Sequence, residues 1–197
     1  IPQRSDELEV LGSGVYKLTG GWRNDFTFKD WTIGFLLDFK TGAKLYSGTN
    51  RGLYSSGLHK TTLIGRETDP TAKSVIGQGV VLNSSGQYVP NTTAVTAQTY
   101  WQGIINNNIA EEFLYDAGFL KLRELSIGYT IPSSFLAKQN VVKSATVSLV
   151  GRNLWTIIKH TDNIDPESAY NNSNGQGLEL NGYPATRSFG FNLNVKF

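Results

Sequence analysis

Two histidines, His59 and His160, and a short acidic run, Asp162, Asp165 and Glu167, are the residues whose types could bind a metal or move a proton. Neither histidine has a second ligand at His-x-x-x-His or comparable spacing, so zinc has no framework here. The acidic run offers the hard oxygens that calcium takes, but lacks the alternate-position spacing and central glycine of an EF-hand loop. Asp165-Pro166-Glu167 reads instead as a turn at the start of a loop, with proline fixing φ. There is no Gly-x-Ser-x-Gly elbow. Gly12-Ser13-Gly14 is not followed by the Gly-Lys-Ser/Thr of a phosphate loop. Glu111 and Glu112 are neighbours, unlike the spaced carboxylates of a glycosidase. The expectation is a protein that is not an enzyme and has no cofactor and no metal. Tyr100-Trp101 remains as a candidate contact, because flat aromatics stack on sugars and anchor interfaces. The same pair, with Ile104 and Ile105, also suits a short amphipathic helix over 97–109 that packs onto its own loop.

Composition narrows the classes further. The 197 residues include 21 Gly, 6 Pro, no Cys and no Met. Without Cys there are no disulfides, thiolate metal sites or cysteine nucleophiles. Charged residues are 17% of the chain, against roughly 25% in ordinary soluble domains. A net charge of +2 with no basic cluster gives no footprint for nucleic acid. Low charge, high Gly and 12% aromatic residues point to β structure and fit a soluble core poorly. The first residues carry no secretory signal, and the opening Ile1-Pro2-Gln3-Arg4 with no initiator Met reads as a processed product or a piece of something longer. The longest nearly apolar run, about Ile33 to Leu37, is far short of a membrane-spanning helix. Spanning β-strands need only about 9–11 residues and place their apolar groups at every second position.

That period-two pattern recurs five times. Phe189, Phe191, Leu193, Val195 and Phe197 alternate with Ser188, Gly190, Asn192, Asn194 and Lys196. Trp31, Ile33, Phe35, Leu37 and Phe39 share a parity, as do Tyr16, Leu18, Trp22, Phe26 and Phe28. Val147, Leu149, Trp155 and Ile157 mark another strand. In the last, Leu120 and Leu122 are even while Leu125, Ile127, Tyr129 and Ile131 are odd, so a β-bulge is expected at Arg123-Glu124. The expected strands are about 15–28, 31–46, 119–131, 144–158 and 186–197.

A tight turn at Lys29-Asp30 joins the first two, and Pro132 to Val142, with one helical turn at Ser133 to Lys138, joins the third and fourth. Long loops of about 48–118 and 159–184, rich in Gly, Asn, Ser and Thr, make the other connections. Short and long connections alternate, so both long loops leave one end of the sheet, as in outer-membrane barrels. Five strands cannot close such a barrel, and an open sheet in lipid leaves edge backbone groups unsatisfied. The expected fold class is therefore all-β: about five antiparallel strands of a large transmembrane β-barrel, most of which is missing from this sequence, with two long extracellular loops; the resemblance below implies that they are its C-terminal strands.

Four segments stand out: Phe119 to Pro132, Val150-Gly151-Arg152-Asn153-Leu154-Trp155-Thr156 with Asp165-Pro166-Glu167, Tyr183 to Phe197, and Asn24 to Trp31 followed by Gly34-Phe35-Leu36-Leu37-Asp38. Together, in their order along the chain, they resemble the SusC/RagA family of TonB-dependent transporters. The resemblance implies an outer-membrane importer of Gram-negative Bacteroidota, with 22 strands and an N-terminal plug, of which this chain is the C-terminal fifth or so. It implies cargo of oligosaccharides or peptides, a SusD-like surface lipoprotein as lid, and energy through the TonB complex by way of the missing N-terminal part. It also implies that the terminal strand, Phe189 to Phe197, is read by the barrel-assembly machinery, leaving the C-terminus periplasmic. On this reading the odd face of that strand meets outer-membrane lipid, and Trp31 and Trp155 belong to an interfacial aromatic girdle. The alternatives are a soluble β-sandwich that binds glycans through the loop aromatics, and a passive porin-like channel.

Overall fold

In the computed structural model, residues 1–67, 73–137, 141–171 and 173–197 are described. They form two compact units. One comprises 13–45, 116–177 and 183–197, and the other 1–12, 46–115 and 178–182.

The first unit is built on an antiparallel five-stranded sheet whose spatial order follows the chain. Its strands are β1 (Leu18–Phe28), β2 (Trp31–Thr41), β3 (Phe119–Thr130), β4 (Ser144–Lys159) and β5 (Ser188–Lys196). β1 and β2 meet at a two-residue turn, where Phe28 pairs with Trp31 and Lys29 takes φ 52. Asp30 is tied to the next strand by the Thr130 amide, 2.7 Å from its carbonyl. A short helix, Ser133–Leu136, sits between β3 and β4; Lys138, the far end of the expected helical turn, lies outside the described residues.

Register turns the alternation of single strands into a continuous surface. Phe26, Ile33, Ile127, Leu149 and Phe191 are paired in succession across all five strands. So are Phe28, Trp31, Tyr129, Val147 and Leu193. A one-residue slip in any pair would move that strand's apolar set to the other side, so these rows fix the register.

The expected bulge is present. Leu36 and Leu37 pair with Glu124 and Leu122, which leaves Arg123 as the extra residue of β3. β4 answers with Asn153 and Leu154 between the paired residues Arg152 and Trp155. Asn153 takes φ 51, a left-handed conformation that asparagine tolerates better than most residues. A second irregularity between Thr156 and Ile158 pairs Ile158, not the expected Ile157, with Leu120. The expected strand 31–46 also divides: Gly42 takes φ 85, and Lys44–Ser47 is a separate strand. Expected starts at 15 and 186 fall at Leu18 and Ser188, and Tyr16 stands ahead of the first strand with its ring edge-on to Phe119.

The stretch 48–118 was expected to be a solvated loop, and most of it instead forms the second unit with a core of its own. Tyr54, Ala97, Trp101, Ile104 and Phe113 form that core. It is assembled from helix α1 (Gly48–Ser56), helix α2 (Ala97–Asn106) and a 3-10 turn at Ala110–Phe113. The Ser47 side chain caps α1 by accepting from the Asn50 amide and that of Thr96 caps α2 by accepting from the Thr99 amide, which gives one orphan donor of each first turn an acceptor. Residues 178–182 of the other long loop join this unit, with Leu178–Glu179 parallel to Tyr46 and Ser47.

Candidate functional site

The sheet has two chemically opposite faces. On one, Phe189 is 81% exposed, Phe191 65% and Phe197 73%, and Leu193 is exposed beside them. Trp22, Phe26, Phe28, Trp31, Leu149 and Trp155 are exposed as well. An aromatic side chain left in water forfeits a few kcal/mol relative to burial, so a continuous field of them specifies an apolar surround. Each strand has the length to cross hydrocarbon: β1 and β2 have 11 residues, β3 has 12 and β5 has 9. Trp31 follows the short turn, and Trp155 lies toward the end where the long connections leave.

The opposite face is polar and carries a ladder of ion pairs. Arg23 meets Asp25 at 2.9 Å and Glu124 at 3.4 Å, and Arg152 meets Glu124 at 3.1 Å. A side chain at Gly34 would have to displace the Asp25 carboxylate and the Ser126 hydroxyl, which lie in the space its Cβ would take.

Toward the end where the long connections leave, the ladder becomes a closed cluster. Lys121, on β3, is only 3% exposed. Its ammonium lies 2.6 Å from Asp165 and 2.7 Å from Glu167, and 4.9 Å from the centre of the Phe119 ring. Arg123, the bulged residue, pairs with Asp38 and reaches Glu167 at 2.9 Å and the Asn153 side-chain oxygen at 2.8 Å. Lys40 completes the group 3.6 Å from Glu167. Burial would raise the pKa of Asp165, but the hydrogen bonds from Lys121 and from the Glu167 and Ala185 amides outweigh it and hold the carboxyl below its ordinary value. Glu167 behaves alike: burial acts against its charge, and Lys121 and Arg123 win.

In the second unit, Glu179 is fully buried at the start of α1. Its oxygens accept from the Ser47 hydroxyl at 2.8 Å, the Thr49 hydroxyl at 2.6 Å and the Gly182 amide at 2.8 Å. Burial opposes its ionisation, and these donors still depress its pKa. A negative charge at a helix N-terminus is also favoured by the helix dipole.

Asp165 and Glu167 of the acidic run are thus engaged by cations and backbone amides, and theirs is the ion cluster that the sequence reading missed. The signal was present as two cations, Lys121 and Arg123, on a strand whose other face is Leu120 and Leu122. Their shared partners Asp165 and Glu167 lie more than forty residues away, in a stretch that by itself reads as a turn. Trp101 is 7% exposed, and its indole N–H donates to the Ile64 carbonyl at 3.1 Å. Its ring stands edge-on to Tyr54 and Tyr100. It therefore packs its helix first, and beyond that lines a cavity of about 250 Å³ with Tyr54, Arg66, Gln98 and Gln102. Tyr100 is half-buried. His59 caps a 3-10 turn through Nδ1, 3.2 Å from the Thr61 amide.

The TonB-dependent receptor P3 of Formosa agariphila is 25% identical over an alignment of 197 residues, covering 97% of this chain. In sequence the chain resembles part of a TonB-dependent receptor, and in fold it resembles part of the RagAB importer. The RagAB peptide importer in its closed-closed state superposes with a TM-score of 0.63 at 21% identity over 99% of the chain. Its open-open state gives 0.63 at 22% identity over the same share. The chain spans 17% of the curated TonB-dependent receptor and 19% of the solved chains. No protein-family profile matches it.

Proposed function

We propose that the chain is the C-terminal part of the barrel of an outer-membrane, TonB-dependent importer of oligosaccharides or peptides. The observation that carries the proposal is the exposed apolar face, in register across five strands, backed by a polar face of paired charges. A glycan-binding sandwich would have to cover those phenylalanines with a second sheet, and a lipid bilayer needs no such cover. The similarity to a TonB-dependent receptor and to a peptide importer favours active import over a passive channel. In this role β1–β5 close the wall, Trp31 and Trp155 sit at its interfaces, and the two long loops face outward. Phe189 to Phe197 form the strand that the assembly machinery reads, with the C-terminus in the periplasm. A SusD-like lipoprotein and the TonB complex are the expected partners of the whole transporter. Tyr100, at the edge of the loop core, is the better placed of the two candidate aromatics for cargo or lid contact.

The test is Phe191→Arg and Leu193→Arg in the intact transporter. An arginine facing mid-membrane lipid costs about 2–4 kcal/mol. Each variant should reach the outer membrane in much reduced amount, whereas Asn192→Arg on the opposite parity should not. Normal levels of both odd-position variants would contradict a lipid-facing odd side.

A further inference from the structure

The second long loop leaves β4 at the outer end of the sheet, and its opening stretch turns back onto the sheet's polar face. Thr161, Ile164 and Ser168 are buried there. Ile164 packs with Ala43, Leu45 and Ala117, and Tyr16 and Ala169 lie against that group. The Tyr16 hydroxyl is 3.4 Å from the Pro166 carbonyl and from that of Ala117. The Ser168 hydroxyl donates to the Asp165 carbonyl at 2.6 Å, and the Glu167 amide donates to the Asp165 side chain at 3.0 Å. This turn brings the carboxylates of Asp165 and Glu167 together on Lys121. The returning end of the loop is tied to the same residue, because the Ala185 amide donates to Asp165 at 3.1 Å.

The stretch covers a patch of charge. Lys40, Lys121 and Arg123 belong to the polar side of β2 and β3, while Phe39, Leu120 and Leu122 take the apolar side. Asp38 is opposite Lys121 in register and pairs with Arg123. Among the described residues it is the one carboxylate that the sheet itself supplies to this group. The wall alone therefore sets three cations against one anion, and the loop's Asp165 and Glu167 bring the two charges that balance it. All these bonds join the sheet to its own loop, so the remainder of a barrel can only bury them further.

Left bare, such a patch would act on solutes at a distance. Charges of one sign in a cleft with low-dielectric walls focus the field and concentrate counter-ions. A pathway must also release what it binds, and three cations side by side would retain an anion. Covered by two fixed carboxylates, the same wall presents no net charge.

We infer that residues 161–169 form a strap fixed to the inside of the barrel wall, and that Asp165 and Glu167 set the charge preference of the lumen by screening its cations from anionic cargo. The inference rests on the barrel reading, which makes the polar face the lumen side.

The test titrates methoxypyrenetrisulfonate, a small trianion, against the full-length transporter purified in detergent. Asp165→Asn with Glu167→Gln leaves Lys121 buried without a counter-charge, a state that favours release of the strap. The double variant should bind the dye at least tenfold more tightly than the wild type. The gain should vanish at high salt and on adding Lys121→Met with Arg123→Gln. Unchanged affinity in a double variant that keeps the heat-dependent gel mobility of a folded barrel would overturn the inference, as would a gain that survives loss of the two cations. Ala117→Cys with Ile164→Cys leaves the charges intact and tests the strap even where the first variant does not fold. In an otherwise cysteine-free transporter in whole cells, mild oxidation should join positions 117 and 164. No such link in a transporter that reaches the outer membrane sinks the strap alone, whereas a wild-type transporter found outside that membrane sinks the barrel reading as well.

Discussion

Lys121 is the residue on which the ion cluster turns. Two carboxylates from one long loop converge on its ammonium, and Phe119 closes over it. Removing one partner of a fully buried pair costs about 3–5 kcal/mol, and less here because both carboxylates keep some water, so Lys121→Met should cost roughly 2–3 kcal/mol of loop anchoring. Hydrogen exchange at the Glu167 and Ala185 amides, which donate to Asp165, should then speed up, while Arg23→Ala on the exposed ladder should leave those amides unchanged. The same bonds set a pH dependence. Asp165 and Glu167 have folded pKa values below their ordinary 3.8 and 4.5. A depressed pKa contributes stability that is complete above the ordinary value and is lost as pH falls through the folded value. Anchoring should be constant from pH 7 to about 5 and weaken only below about 4. Exchange at the Ala185 amide across that range checks it, and loosening already near pH 6 would contradict the assignment.

At the scale of elements, what could be read from the sequence was what repeats locally. Five strands showed themselves because every second side chain is apolar, and the bulge because the parity of β3 changes between Leu122 and Leu125. The second irregularity of β4 left no such mark, since Ile157 and Ile158 are both apolar and either suits the pattern. The loop unit was illegible for a different reason. Its core joins Tyr54, Trp101 and Phe113, which are far apart in sequence and follow no period, and a run of Gly, Asn, Ser and Thr around them resembles solvated chain. The ion cluster was hidden in the same way, by separation. The bulge makes a direct prediction. Asn153 holds a left-handed conformation and accepts from Arg123. Asn153→Val should cost roughly 1–2 kcal/mol from backbone strain alone, and Asn153→Gly should be milder. Urea unfolding of the detergent-solubilised transporter measures both, and a valine variant as stable as the wild type would show that the strand does not need that conformation.

For the whole molecule, the account depends on which medium the apolar face meets. Two complete rows, from Phe26 to Phe191 and from Phe28 to Leu193, place ten apolar residues on one side of a sheet whose other side is a ladder of salt bridges. Water on both sides is inconsistent with the first, and lipid on both sides with the second. A wall between hydrocarbon and an aqueous lumen accommodates both. This stretch contains no cysteine of its own, so a single one can be introduced at each position from 188 to 196 of an intact transporter from which any other cysteine has been removed. The decisive measurement is the emission of a polarity-sensitive fluorophore attached at each of these sites in the intact transporter in bilayers, with quenching by brominated lipid. The account predicts blue-shifted, lipid-quenched signals at 189, 191, 193 and 195, and water-like, unquenched signals at the positions between them. Apolar emission at the odd positions without quenching by lipid would mean that they are buried in protein, and would contradict it.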